Sequence, residues 1–257
     1  MKSQILDKIR RLNWVLSETT TGNLSYEELS KILCELIVAN IYICDAHGEV
    51  LGAAYINIED KTTVDASDNR EMISEEHNRG FLSVQESTAN LFGEQVTAVL
   101  GEHYAMAGKY HTFVPIICGG SRLGTLLLTR YEDKFDDEDM VLSEFCATVV
   151  GLEIQRQLAI EEEKENRRKM TVKIALDTLS YSEKDAIAKI LEGLEGGEGL
   201  IVASKIAAKY GLTNSVIVNA LRKLESASLL EAKSLGMKGT RIKILNPYLK
   251  DAIADMI

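Results

Sequence analysis

Between Ala203 and Leu245 the chain reads ASKIAAKYGLTNSVIVNALRKLESASLLEAKSLGMKGTRIKIL, and no other stretch narrows the possible fold as far. Ile206, Ala207 and Tyr210 lie before Gly211, and Val216, Ile217, Ala220, Leu221 and Leu224 follow at helical steps. Two amphipathic helices therefore meet at a glycine-containing turn. The tip Gly236-Met237-Lys238-Gly239 then joins two runs with hairpin character. Helix, turn, helix and hairpin in that order describe a winged helix-turn-helix, which lays its second helix in the DNA major groove. Charge points the same way. Eight Lys/Arg face two Asp/Glu between Lys205 and Lys243, inside a chain of net charge −10. A basic island in an acidic chain is the footprint of a phosphate-binding surface.

A helix over Asn214 to Ala227 sets Ser215, Asn219 and Arg222 on one polar stripe, away from the apolar face. Asparagine pairs bidentately with adenine and arginine with guanine. Thr213 is placed to cap this helix, whose free N-terminal amides can meet a phosphate. Lys238 and Arg241 belong to the wing, where cations reach backbone or minor groove. Ser204, Lys205, Asn214, Val218 and Lys223 complete the expected DNA-facing set. Any surface helix carries polar residues on its outer side; turn, hairpin and local charge together favour the DNA reading.

A chain of 257 residues is most simply two domains. We expect a sensing domain over 1–160, a helical linker over 161–175 and a DNA-binding domain over 176–257. Residues 170–257 carry 12 basic and 10 acidic groups, against 17 and 29 in the remainder. The first part would be repelled by nucleic acid, so the two halves do different work. No run of 18 apolar residues occurs, which argues against a membrane span. The start, MKSQILDKIRRLNW, is amphipathic and unlike a secretory leader. Cys34, Cys44, Cys118 and Cys146 stand singly in apolar segments, as reduced thiols of a cytoplasmic protein do.

Ile5, Ile9, Leu12 and Leu16 predict a helix over Lys2 to Ser17, which Glu18 to Asn23 breaks. Ser25 is the expected cap of a second helix carrying Leu29, Ile32, Leu33, Leu36 and Ile37. Asn40 to Cys44 and Val50 to Ile56 form a hairpin across Asp45 to Gly48, with Gly48 at positive φ. Asn57 to Gln95 reads as short helices or loop. A second hairpin joins Tyr110 to Cys118 and Leu123 to Arg130 across Gly119 to Arg122. A long helix starts near Asp136, its acidic first turn matching the helix dipole. Leu142, Phe145, Val149 and Leu152 give it a stripe for a sheet or a partner helix, and Glu161 to Lys169 has no apolar face. Met170, Ile174 and Leu176 resume a core, Ser182 opens a helix, and Gly193 to Gly199 is a loop. Hairpins separated by helices, without βαβ alternation, predict an α+β chain with an antiparallel sheet in its first domain. Sensor domains of the GAF/PAS type have this pattern.

SVIVNALRKLES followed by SLGMKGT resembles the C-terminal domain of the CodY family, nutrient-responsive transcription regulators of low-GC Gram-positive bacteria. The likeness extends through VPII (Val114 to Ile117), RLGTL (Arg122 to Leu126), ATVVGLEI (Ala147 to Ile154), LSYSE (Leu179 to Glu183) and GLIVASKIA (Gly199 to Ala207). It covers nearly everything from Leu123 onward, and the first hundred residues match loosely. The resemblance implies a GAF-type sensor domain, a long linker helix and a winged helix-turn-helix. It also implies a homodimer, or a tetramer, on double-stranded DNA. Branched-chain amino acids, isoleucine foremost, would occupy the sensor and raise operator affinity, mainly for repression. Many members also respond to GTP, through a first-hairpin turn that often reads Ser-Arg-Arg-Gly-Lys. Here that turn is Asp45-Ala46-His47-Gly48-Glu49, which is net acidic and would repel a triphosphate. Arg70, Met72 and Phe81 are the nearest equivalents of the family's effector pocket, with Val99 and Leu100 where members carry Phe-Pro-Val. Arg70 reads equally as a carboxylate clamp and as a solvated loop residue. At Asn214 many members have arginine.

No GxxxxGK[ST], GxGxxG, GxSxG or HExxH occurs, and His47, His77, His103 and His111 lack metal-ligand spacing. Gly119-Gly120 suits a hairpin turn better than a phosphate loop. Neither a catalytic set nor a metal site is expected. The competing readings are a nucleotide-binding or enzymatic protein with an appended helix-turn-helix, and a scaffold whose basic face binds acidic partners.

Overall fold

Period-two alternation in the apolar runs near Ile41, Val114 and Leu126 builds a sheet with two distinct buried faces. The structure, a computed structural model, describes residues 2–17, 25–56, 64–65, 70–101 and 108–255. The chain divides into two units, 1–158 and 159–257.

The first unit runs α1 (Lys2–Ser17), α2 (Tyr26–Ile37), β1 (Asn40–Asp45), β2 (Val50–Ala54), β3 (Val64–Asp65) and β4 (Glu71–Met72). It continues with α3 (Glu75–Ser83), β5 (Thr88–Leu91), α4 (Glu94–Leu100), β6 (Tyr110–Cys118), β7 (Ser121–Arg130) and the start of α5 (Asp137–Asp177). Strand order is β2-β1-β7-β6-β5 and every pairing is antiparallel, as the hairpin order predicted. Ile41, Ile43, Val114, Ile116, Leu126 and Leu128 bury one face against Leu12, Leu29, Leu33, Leu142, Cys146 and Val150. Fully buried leucines such as Leu33 and Leu126 each contribute roughly 1.5–3 kcal/mol. Tyr42, Cys44, Phe113 and Leu127 alternate onto the opposite face, beneath Ile73, Phe81, Val96 and Leu100.

Ser25 caps α2 as expected, its Oγ accepting the Glu28 N–H at 3.2 Å, and Gly48 has φ +87°. The second hairpin is tighter than its sequence suggested. Ser121 and Arg122 are already in β7, leaving a turn of Gly119 and Gly120 with φ +58° and +79°. Two successive positive φ values define the turn whose twist suits a two-residue hairpin, and glycine adopts them without strain. Over Asn57 to Gln95 short helices do form, but β5 adds an unforeseen edge strand; 57–63 and 66–69 lie outside the described residues, as does the break at Glu18 to Asn23. On α5 the buried stripe is Leu142, Cys146, Ala147 and Val150, while Leu152 is exposed.

The second unit holds the end of α5, then α6 (Tyr181–Glu192), β8 (Glu198–Ile201), α7 (Ala203–Tyr210), α8 (Asn214–Ser226), β9 (Leu230–Ser234), β10 (Thr240–Ile244) and α9 (Leu249–Ala254). The three strands pair in the order β8-β10-β9. Leu176, Ala186, Ile187, Ile217, Ala220, Leu224 and Ile242 are the centre of its core. Three expectations need correction. Ser180, not Ser182, caps α6, because Glu183 completes a capping box with it. The loop over Gly193 to Gly199 contains a short 3₁₀ turn and the start of β8. Met170 and Ile174 are 64% and 57% exposed, because Val172, Ala175 and Leu176 occupy the face of α5 that turns inward.

Candidate nucleic-acid interface

The helix that should read DNA is fixed at its N-terminal end. Gly211 ends α7 in the left-handed region, and Thr213 caps α8 by accepting the Val216 N–H at 3.4 Å and contacting Ser215 Oγ at 3.0 Å. Ile217, Ala220, Leu221 and Leu224 face the core, with Val216, Ile206 and Leu212 packed against it. Asn214, Ser215, Val218, Asn219, Arg222 and Lys223 all lie on the exposed side. Ser204 and Lys205, in the first turn of α7, are exposed as well. The base-reading types Asn219 and Arg222 therefore project from one solvent-facing strip, with free N–H groups at the α8 N-terminus.

Two of the predicted cations are already engaged. Lys223 Nζ donates to Glu183 Oε2 at 2.8 Å and to the Thr178 carbonyl at 3.0 Å, tying α8 to α6 and to the end of α5. That bond, with a second from the Ser180 amide, holds the Glu183 carboxyl below the usual range. Arg241 Nε donates to Glu198 Oε1 at 2.8 Å, pairing β10 with β8 across the wing. Lys238 is exposed at the tip, in the 3₁₀ turn Gly236–Lys238. Lys209, Lys233 and Lys243 are further exposed cations that were not singled out from the sequence, although their basic side chains in the same island were the available signal. Beside α8, a groove of about 590 Å³ is lined by Ile174, Ala175, Thr178, Arg222, Ser226 and Ala227.

In the first unit the residues expected around an effector do not form one cluster. Phe81 and Leu100 are buried on the second face of the sheet, Phe81 with its ring 5.7 Å from that of Phe113, and Val99 packs at the edge of that cluster. Gly80 lets α3 approach α4: a Cβ there would lie 2.1 Å from the Val99 carbonyl oxygen. Met72 lies in β4, bridged to Glu49, and Arg70 NH1 is 3.3 Å from Glu49 Oε2. Both thus flank the acidic first-hairpin turn. Ile73, six-percent exposed, links the two groups and escaped sequence reasoning, as did Tyr42, Val96 and Phe113. Arg122 secures the cover, donating to the carbonyls of Phe81, Val84 and Gly124 and to Thr125 Oγ1. Cavities of about 350 Å³ beside Glu27, Gly52, Tyr55 and Glu71, and of about 280 Å³ beside Val38, Ile56, Arg130 and Tyr131, include none of the five predicted residues in their linings.

A winged helix-turn-helix joined to an antiparallel sheet with a second, helix-covered face defines a class: DNA-binding transcription regulators with a separate sensor domain. Comparison with known proteins makes the assignment specific. The CodY GAF-like domain matches residues 4–178 and the CodY helix-turn-helix domain residues 197–256. The global transcriptional regulator CodY of Caldanaerobacter subterraneus subsp. tengcongensis is 47% identical over 253 residues, 98% of either chain. That of Clostridium perfringens is 41% identical over 258 residues, again 98% of either chain. A solved structure of the cofactor-binding GAF domain of the nutrient sensor CodY from Clostridium difficile is 35% identical, with a TM-score of 0.49, covering 60% of this chain and 99% of that one. The chain belongs to the CodY family of global transcriptional regulators. No helix among the described residues is long and apolar enough to cross a membrane.

Proposed function

We propose that this regulator is mainly a repressor whose hold on operator DNA is raised by a branched-chain amino acid, isoleucine foremost, bound within residues 1–160. Residues 161–175 act as the linker and 176–257 as the DNA-binding part. The reading rests chiefly on one observation: Ser215, Asn219 and Arg222 share the exposed side of α8 in the most basic segment of an acidic chain. Ser204, Lys205, Thr213 and Asn214 serve as phosphate contacts beside them, with Val218 for apolar contact to a base. Lys238 anchors the wing. Lys223 and Arg241 work within the domain first and on DNA second, because Glu183 and Glu198 already hold them. Phe81, Val99 and Leu100, with Ile73 added to that set, wall the effector on the second face of the sheet, and Met72 and Arg70 reach it from beside the first-hairpin turn. Arg70 must exchange Glu49 for a ligand carboxylate if it is the clamp. The acidic first-hairpin turn supports no GTP response. The protein is not an enzyme, acts in the cytoplasm and binds as a homodimer, or as a tetramer.

The test is fluorescence anisotropy on an AT-rich palindromic duplex. Isoleucine lowers the Kd, and Arg222→Ala costs about 1–3 kcal/mol of specific binding. A ligand-independent isotherm removes the effector assignment, and an unchanged sequence preference in the variant removes the role of Arg222. Thermal stabilisation by nucleotides with turnover, rather than by hydrophobic amino acids, would point to an enzyme instead.

A further inference from the structure

We propose that two copies of the chain pair through the C-terminal part of α5, antiparallel, about a two-fold axis near Glu165. This rests on the reading of the chain as a dimeric DNA binder and names the surface that makes the dimer. One side of α5 is committed to its own domain. Val172, Ala175 and Leu176 are buried there, the Tyr248 hydroxyl donates to Glu165 at 3.0 Å, and Asn246 Nδ2 donates to the Arg168 carbonyl at 3.0 Å. About half a helical turn away, Ile160, Glu163, Arg167, Met170 and Ile174 recur at steps of three and four. Ile160, Met170 and Ile174 are 37%, 64% and 57% exposed, so a continuous strip with apolar ends and a charged middle faces solvent.

Charge selects both the occupant and its direction. EEEKENRRK is acidic over Glu161 to Glu163 and basic over Arg167 to Lys169, so the segment complements its own reverse. An antiparallel second copy centred on Glu165 places Ile160 against Met170 and Glu163 against Arg167, twice by symmetry. A parallel copy places glutamate on glutamate and arginine on arginine. Glu163 and Arg167 already pair within the helix at 2.8 Å, so the dimer turns two intrahelical pairs into one four-charge network. Spacing agrees with DNA. From Glu165 to the end of α5 is roughly 18 Å of helix, which sets the two exits roughly 36 Å apart, one turn of B-DNA.

The experiment measures self-association of the full chain by sedimentation, and subunit exchange by native mass spectrometry with the wild-type partner isotopically labelled, because the charge swap leaves the mass of the double variant unchanged. Glu163→Arg alone and Arg167→Glu alone each weaken the dimer about tenfold. The double variant Glu163→Arg/Arg167→Glu recovers wild-type association, which also shows that the helix tolerates the changes. Mixed with wild type, the double variant forms mixed dimers more poorly than either forms its own. Free mixing, preferential mixing as a parallel pair requires, single variants that associate normally, or a monomeric wild type each overturn the proposal. If wild type binds operator as a dimer while these charges are silent, the interface fails and the DNA reading stands. If wild type shows no specific DNA binding, the functional reading fails by itself.

Discussion

His111 is fully buried on β6, its Nδ1 3.0 Å from the Lys109 carbonyl oxygen, and burial pushes its pKa down to about 4. Unfolding exposes an imidazole with a pKa near 6.5, so the unfolded chain binds the extra proton first. The contribution of His111 to stability is complete above pH 6.5 and is lost as pH falls toward 4, by up to about 3 kcal/mol. The melting temperature of the first unit should therefore fall between pH 7 and 4.5, and His111→Gln should flatten that slope. An equal slope in the variant would assign the acid sensitivity to other groups. Glu183 sets the corresponding balance in the second unit: replacing it with Ala removes a capping box and the partner of Lys223, costing about 1–2 kcal/mol in denaturant melts. The caps Ser25 and Thr213 were legible because a cap and the N–H that donates to it lie within a few residues. The engagement of Lys223 and Arg241 was not, since Glu183 and Glu198 arrive from elements some forty positions away.

The long, strongly periodic elements could be read directly: α1, α2, α8, β6 and β7 each have an apolar rhythm that one structure type satisfies. Short elements defined by their neighbours could not. β8 is the glycine-containing Glu198–Ile201, and becomes a strand only because β10 offers it hydrogen bonds. β5 is held from the side, by Asn90, whose Nδ2 donates to the Phe135 carbonyl at 2.9 Å and whose Oδ1 accepts the Phe135 N–H at 2.7 Å. The wing makes its own prediction. Glu198 neutralises Arg241, so Glu198→Gln should release the guanidinium and steepen the dependence of log K on log salt by about one, whereas Lys238→Ala should shallow it by about one. Salt titrations of nonspecific duplex binding would show both, and unchanged slopes would place the wing away from phosphate.

At the scale of the whole chain, the division of labour follows from charge and core. An acidic unit with its own sheet and a unit carrying the basic island each bury a separate set of side chains. That organisation was legible, because the charge excess and the change from hairpins to paired helices occur in sequence order. An effector pocket was less so: its candidates come from β4, α3 and α4, and only folding brings Phe81 and Leu100 to one face while leaving Arg70 on Glu49. Coupling between a metabolite on the first unit and DNA on the second is by necessity reciprocal. Calorimetry of isoleucine binding to the full chain, free and saturated with the palindromic operator duplex, measures it directly. The dissociation constant should be at least about five-fold lower on the operator complex, equal to the gain isoleucine gives operator binding. Identical isoleucine affinity in the two states would contradict it.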